Sequence, residues 1–147
     1  YIDFSSTRAL DLFAGTGSIT LELLSRGCPL VVSVEKDRQH FSFISAVLRK
    51  LDDPAARPYC GDALRFVARC REQFDLIFAD PPYALPELPE LPDRVMQSSA
   101  LAPDGIFVLE HGARHDFSAR PDFLAHRAYG SVNFSFFRRP QVADEEE

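Results

Sequence analysis

The chain has 147 residues, 46% of them hydrophobic and 13 of them phenylalanine, which suits one domain around a single packed core. No apolar run approaches the roughly 20 residues of a membrane-spanning helix, and no basic-then-apolar signal segment is present, while the opening on Tyr1 leads us to expect a natural start further upstream. The net charge is −6, but Asp144, Glu145, Glu146 and Glu147 carry four of those charges and leave −2 over residues 1–143, a balance that neither supports nor excludes an RNA partner.

The first expected element is a short buried strand over Arg8-Ala9-Leu10-Asp11-Leu12-Phe13, followed by Ala14-Gly15-Thr16-Gly17-Ser18. Glycines at i and i+2 permit a tight turn and close backbone approach to a ligand. Thr16 or Ser18 can cap the next helix, whose apolar positions include Ile19, Leu23 and Leu24, and Gly27 ends it. A full dinucleotide fingerprint would carry a third glycine at position 20, where Thr20 stands, so the glycine pair alone is a weak signal. Leu30-Val31-Val32-Ser33-Val34 reads as a second strand. It ends in Glu35, an acid placed to accept bonds from both ribose hydroxyls of a nucleoside. Asp37 reads as the cap of a helix running to Leu51, with Phe41, Ile44, Leu48 and Leu51 as its core face. Asp52-Asp53-Pro54 stops that helix. The third strand, Arg57 to Cys60, leads into Gly61-Asp62-Ala63. Asp62 has two open readings there: cap of the helix carrying Phe66, Val67 and Cys70, or acceptor for an adenine amino group.

The stretch that organises the chain is Phe74-Asp75-Leu76-Ile77-Phe78-Ala79-Asp80-Pro81-Pro82-Tyr83. Its apolar half has the length and residue types of a buried strand. Proline cannot continue a central ladder, so the strand ends at about Asp80, in a stiff extended turn. Ligands bind at such carboxyl ends in open parallel sheets. A carboxylate, a carbonyl freed from the ladder and an aromatic face suit the holding of a flat ring by its amino group. Residues 84–92 are too rich in proline for a regular helix and read as a mobile cover or a surface linker. A short helix follows, with Pro92 in its first turn, reaching about Ser99. Pro103-Asp104-Gly105 is a turn signal, and Ile106 to Glu110 a fifth strand. A loop or short helix is expected over 112–123. Leu124 to Tyr129 and Val132 to Arg138 then form a hairpin joined at Gly130-Ser131. Asp11, Glu35, Asp62 and Asp80 thus fall near the carboxyl ends of four successive strands.

Cys28, Cys60 and Cys70 are odd in number and lack CxxC spacing, which suits free, buried or half-buried thiols in a reducing cytosol. His40, His111, His115 and His126 show no metal-ligand grouping, so no metal is expected. No serine sits in a nucleophile elbow.

Asp11-Leu12-Phe13-Ala14-Gly15-Thr16-Gly17, Glu35, Gly61-Asp62-Ala63 and Asp80-Pro81-Pro82-Tyr83 resemble the successive motifs of S-adenosylmethionine-dependent amino methyltransferases. Within them the chain most resembles the bacterial 16S ribosomal RNA guanine-N2 methyltransferases of the guanine-966 type, over nearly its whole length. The resemblance implies an α/β, Rossmann-like methyltransferase fold. Its seven-stranded, mostly parallel sheet would run in the order 3-2-1-4-5-7-6, with the last strand antiparallel and helices on both faces. That domain would occupy residues 1–139, ahead of an acidic, disordered tail at 140–147. Family members carry a further N-terminal segment that contacts RNA, and this sequence is expected to lack it and to methylate poorly without it.

The implied cofactor is S-adenosyl-L-methionine, leaving as S-adenosyl-L-homocysteine. Asp11, Phe13, Ala14, Gly15, Thr16, Gly17, Glu35, Lys36, Asp62, Ala63 and Asp80 would bind it. Asp80, Pro81, Pro82 and Tyr83 would form the catalytic stretch. The implied partner is 16S ribosomal RNA, within a small ribosomal subunit or an assembly intermediate, met by a cytoplasmic monomer with no membrane contact. A DNA adenine-N6 methyltransferase shares the Asp-Pro-Pro-Tyr signature but usually carries a target-recognition region for which 147 residues leave no room. A non-catalytic cofactor-binding module is the third reading, and intact Asp80 and Tyr83 argue against it.

Overall fold

A computed structural model of the protein describes residues 2–140. Among these, the strands are β1 (Arg8–Asp11), β2 (Leu30–Glu35), β3 (Ala56–Cys60), β4 (Phe74–Ala79), β5 (Leu101–His111), β6 (Phe123–Tyr129) and β7 (Val132–Phe137). The helices are α1 (Ser18–Ser25), α2 (Arg38–Leu51), α3 (Ala63–Arg69) and α4 (Leu91–Met96). One sheet holds all seven strands in the order β3-β2-β1-β4-β5-β7-β6, the order implied by the resemblance. β7 runs antiparallel to both its neighbours, and the other pairings are parallel. Of the acidic tail expected from residue 140, residues 141–147 lie outside the described part.

The central strands are nearly continuous apolar runs because a parallel sheet covered on both faces buries both sets of side chains. Leu10, Leu12, Ile77, Phe107 and Leu109 turn to one face, where Val67 of α3 and Leu91 and Val95 of α4 pack on them. Ala9, Val31, Leu76, Phe78 and Val108 turn to the other, under Leu23 and Leu24 of α1 and Ile44 and Leu48 of α2.

Five local expectations need correction. α1 has no side-chain cap: Gly17 itself takes the cap position at φ 98°, so neither Thr16 nor Ser18 caps it. A Cβ on Gly17 would stand 2.8 Å from Cδ1 of Ile44, so this glycine lets α2 approach. Pro103-Asp104-Gly105 lies inside β5 rather than ahead of it, because Phe74 pairs with Leu101 and Leu76 with Ile106, and the intervening residues bulge out. Leu51, at the end of α2, is half exposed rather than core, and Cys60 is exposed. The proline-dense segment is pinned down: Leu88 and Leu91 are each 1% exposed in the main core, which a mobile cover would not allow.

One polar knot fixes the base of the site. Asp11 closes β1 at 1% exposure. The Thr20 hydroxyl donates to its Oδ2 at 2.8 Å and lies 2.6 Å from Oγ of Ser33 on β2. Thr20 has one hydroxyl hydrogen, so while it serves Asp11 the Ser33 hydroxyl donates to Thr20. The residue standing in place of a third glycine therefore bolts α1 to β1 and β2. Burial pushes the Asp11 carboxyl up to about 7; the Thr20 bond opposes that shift, and the charges of Asp80 and Glu35 add to it.

This shift has a stability consequence of definite sign. The folded state keeps the Asp11 proton up to about 7, whereas the unfolded chain releases it near 3.8. The folded state binds more protons between those values, so this contribution to stability is full below 3.8 and is lost as pH rises toward 7. Asp11→Asn should make the fall in stability across that window shallower than in the wild type. Urea unfolding at a series of pH values measures it, and parallel curves for the two proteins would count against a titrating Asp11.

Candidate active site at the carboxyl edge of the sheet

The carboxyl ends of β1, β2, β3 and β4 frame a cleft of about 720 Å³. It opens where the strand order reverses, between β1 with β2 on one side and β4 with β5 on the other, the usual ligand crevice of such sheets. Of the residues expected at a cofactor, Phe13, Gly15, Glu35, Lys36, Asp62, Ala63 and Asp80 line the cleft, as do Pro81, Pro82 and Tyr83. Asp11, Ala14, Thr16 and Gly17 do not line it. Asp11 lies beneath it in the polar knot, Ala14 is buried, and the space above Gly17 is filled by Ile44.

Gly15 faces the opening at φ +57°, and a Cβ there would meet no protein atom within 4 Å. Its N–H donates to Oε1 of Glu35 at 2.7 Å, and Oε2 of Glu35 accepts the Asp37 N–H at 2.8 Å. Glu35 thereby staples the turn after β1 to the turn after β2. Each carboxylate oxygen keeps a further lone pair for a ligand hydroxyl. Asp37 caps α2 by accepting the His40 N–H at 3.0 Å. Asp62 caps α3 by accepting the Arg65 N–H at 2.9 Å through Oδ2, while Oδ1 has no partner among the described residues. Cap and ligand acceptor are thus compatible roles for one carboxylate. Glu35, Asp37, Asp62, Asp80 and Glu87 surround the cleft, against Lys36 as the one Lys or Arg lining it among the described residues, a field that attracts a cationic ligand and repels a pyrophosphate.

β4 ends at Ala79, and Asp80-Pro81-Pro82-Tyr83 crosses the rim as expected. Pro81 is buried, and its carbonyl accepts no hydrogen bond among the described residues. The Pro82 carbonyl closes a turn with the Leu85 N–H at 2.9 Å. Tyr83 presents its ring at the mouth, 54% exposed. Burial raises the Asp80 carboxyl above its ordinary value, and a hydrogen bond from Glu110 pulls against that rise. Glu110 itself is raised by burial first, then by the charge of Asp80 and the bond between the two.

Sequence reasoning missed Glu110, Thr20 and Ser33. Glu110 was visible as a fifth acid ending a fifth strand, and Thr20 as a hydroxyl where a glycine was sought. His111 and His126 are engaged elsewhere, with Ser135 and Asn133, at 2.7 and 2.9 Å. Among the described residues no helix is long and apolar enough to cross a membrane.

Comparison with known proteins agrees with this architecture. "Putative rRNA methyltransferase YlbH" of Bacillus subtilis is 35% identical over 112 residues, 74% of this chain and 61% of that protein. "Ribosomal RNA small subunit methyltransferase D" of Escherichia coli K12 is 27% identical over 135 residues, 90% of this chain and 68% of that one. The chain therefore spans less than two thirds of the Bacillus protein. The crystal structure of "putative methylase HI0767" from Haemophilus influenzae superposes with a TM-score of 0.83 at 22% identity, covering 94% of this chain and 89% of that one. That likeness establishes the Rossmann-like methyltransferase fold. A family model described as "Conserved hypothetical protein 95" matches residues 2–138, and the chain belongs to that family.

Proposed function

We propose that the chain transfers a methyl group from S-adenosylmethionine to the exocyclic N2 amine of a guanine in 16S ribosomal RNA, within a small ribosomal subunit or an assembly intermediate. The observation that carries this reading is the open end of β4: a carboxylate, an unused Pro81 carbonyl and an exposed Tyr83 ring beside an acidic cleft. The relatives' names support it, since both name a ribosomal RNA methyltransferase and one names the small subunit. Such an enzyme works in the cytoplasm, as a monomer.

The residues fit the cofactor. The cleft's carboxylates favour a sulfonium cation, and the space above Gly15 admits a ligand against the backbone. Phe13, Gly15 and Lys36 would flank its methionine end, with Ala14, Thr16 and Gly17 shaping the turn from below. The spare lone pairs of Glu35 would take the ribose hydroxyls, and Asp62 with Ala63 the adenine. S-adenosylmethionine supplies the methyl group: the amine nitrogen forms the new C–N bond as the S–C bond breaks, its electron pair staying on sulfur.

A guanine amine is a poor nucleophile because its lone pair is delocalised into the ring. Asp80 and the Pro81 carbonyl accept its two N–H bonds, which turns the lone pair toward the cleft. Tyr83 stacks on the extruded base and offsets part of the few kcal/mol that unstacking costs. The proton leaving the methylated nitrogen is taken at Asp80, already bonded to it, and passes to the solvent that reaches Asp80. Acceleration comes from positioning and from negative charge facing the developing cation.

Asp80→Ala should lower methyl transfer by at least about 10²-fold, the scale of losing one transition-state partner, while S-adenosylmethionine affinity changes little. The assay compares small subunits, free RNA and DNA as acceptors. Transfer to DNA alone would replace the ribosomal reading, and near-normal turnover in the variant would remove Asp80 from the chemistry.

Glu35→Ala should weaken cofactor binding by roughly 1–3 kcal/mol, the scale of hydrogen bonds to a charged group. Glu35→Gln, with one acceptor oxygen left, should fall between the two. Calorimetry that finds equal affinity in all three proteins would reduce Glu35 to a staple of its own turns.

A further inference from the structure

Five strands, not four, deliver an acid to the carboxyl edge. Ala79, the last residue of β4, pairs in parallel with Leu109 of β5, so Asp80, just past the end of β4, comes beside Glu110. Side chains at matched register stand on the same face of a sheet. The face is that of Phe78 and Val108, on which α1 and α2 lie, and Asp11 reaches it one row lower, opposite Phe78. On its other flank Glu110 pairs with Phe134 of β7, which carries no charge. His111, the next residue along β5, points away and is held by the Gly112 carbonyl and Ser135. Among the described residues, Asp80 is the titratable group that acts on Glu110, and Asp11 lies one row lower on the same face.

The register places the two carboxyl groups side by side, and each shifts the other's ionisation as a hydrogen-bonding partner would. Two carboxylates have only acceptors, so a bond between them requires one proton. Asp80 must present a carboxylate to the amine, and it is the more open of the two. We propose that Glu110 is a positioning residue, whose acid O–H donates to one oxygen of the Asp80 carboxylate and turns the other toward the substrate amine. This rests on the methyl-transfer reading above. Burial, the charge of Asp80 and the shared bond all favour the proton on Glu110. On Asp80 the same bond acts the other way, toward the ionised form. Filling the cleft removes water from both groups and holds the proton on Glu110 to still higher pH.

The test uses the full chain with Glu110→Ala and Glu110→Gln, each first shown to fold by thermal unfolding and to bind S-adenosylmethionine by calorimetry. Glu110→Ala should lower kcat on small subunits by about 10- to 100-fold, the scale of a misplaced catalytic group, with cofactor affinity unchanged. Glu110→Gln keeps an N–H donor at the same place and should recover most of that loss. Wild-type kcat should fall as pH rises through ionisation of Glu110, and the glutamine variant should lose that fall. Equal kcat in the wild type and Glu110→Ala, or equal damage in both variants, would overturn the proposal. A readout without turnover separates this from the functional reading. In protein carrying ¹³C-labelled aspartate, the Asp80 carboxyl signal should titrate in two steps in the wild type and in one step in Glu110→Gln. If no acceptor is methylated by the wild type, the functional reading fails while this titration still decides the pair; identical one-step curves would sink it.

Discussion

The parallel pairing of β1 with β4 is the constraint on which the rest of the site depends. Leu10 sits opposite Ile77 and Asp11 opposite Phe78, and the ladder runs on as the Leu12 N–H bonds the Phe78 carbonyl at 2.9 Å. Two residues later the Ala14 N–H bonds the Val34 carbonyl at 2.9 Å, on the opposite neighbour. The chain thus crosses from β4 to β2 within residues 12–14, and Gly15 turns at the end of that crossing. Glu35 can reach the Gly15 N–H only because the crossing ends there. A slip of one residue in β1 would send Asp11 to the opposite face and strand Thr20 and Ser33 in the core without their partner.

Gathering carboxylates at one edge costs electrostatic repulsion, and each is held by a different device. Backbone N–H groups hold Glu35, Asp37 and Asp62. A buried hydroxyl pair holds Asp11, and a shared proton joins Asp80 to Glu110. Among the described residues no arginine lines the cleft to neutralise them. A cationic ligand relieves that repulsion when it binds, so its affinity and the stability of the folded state are coupled through the same charges.

The sheet order, the β4 stop and most of the cleft lining were legible because parallel buried strands and prolines leave strong local marks. The double proline after Asp80 ends a strand in any context, and Glu35 at the tip of Leu30–Val34 has no inward place to go. What escaped notice depended on pairing across the sheet. Nothing near Thr20 announces that its hydroxyl meets Asp11 and Ser33, since these come together only when α1 folds back over β1 and β2. Gly17 looked like a ligand contact, but its missing side chain is matched to Ile44, in a helix whose approach only the packed structure defines. Asp62 admits both readings because one oxygen caps α3 and the other has no partner among the described residues.

The β5 bulge shows how a local signal can be right in chemistry and wrong in scale. Pro103-Asp104-Gly105 does turn the backbone, yet the strand continues through it. A Cβ on Gly105 would stand 3.0 Å from the Phe74 carbonyl oxygen and 2.7 Å from Leu101 Cδ1, so the detour is packed tightly against β4. Residues 102–105 are absorbed opposite Asp75, and the ladder resumes with Leu76 beside Ile106. That offset is what brings Leu109 beside Ala79, and therefore Glu110 beside Asp80. Without the bulge the β5 residue beside Asp80 would be a different one. A turn signal that seemed to belong to a surface loop thus sets, through strand register, which side chain faces the carboxylate at the mouth of the cleft.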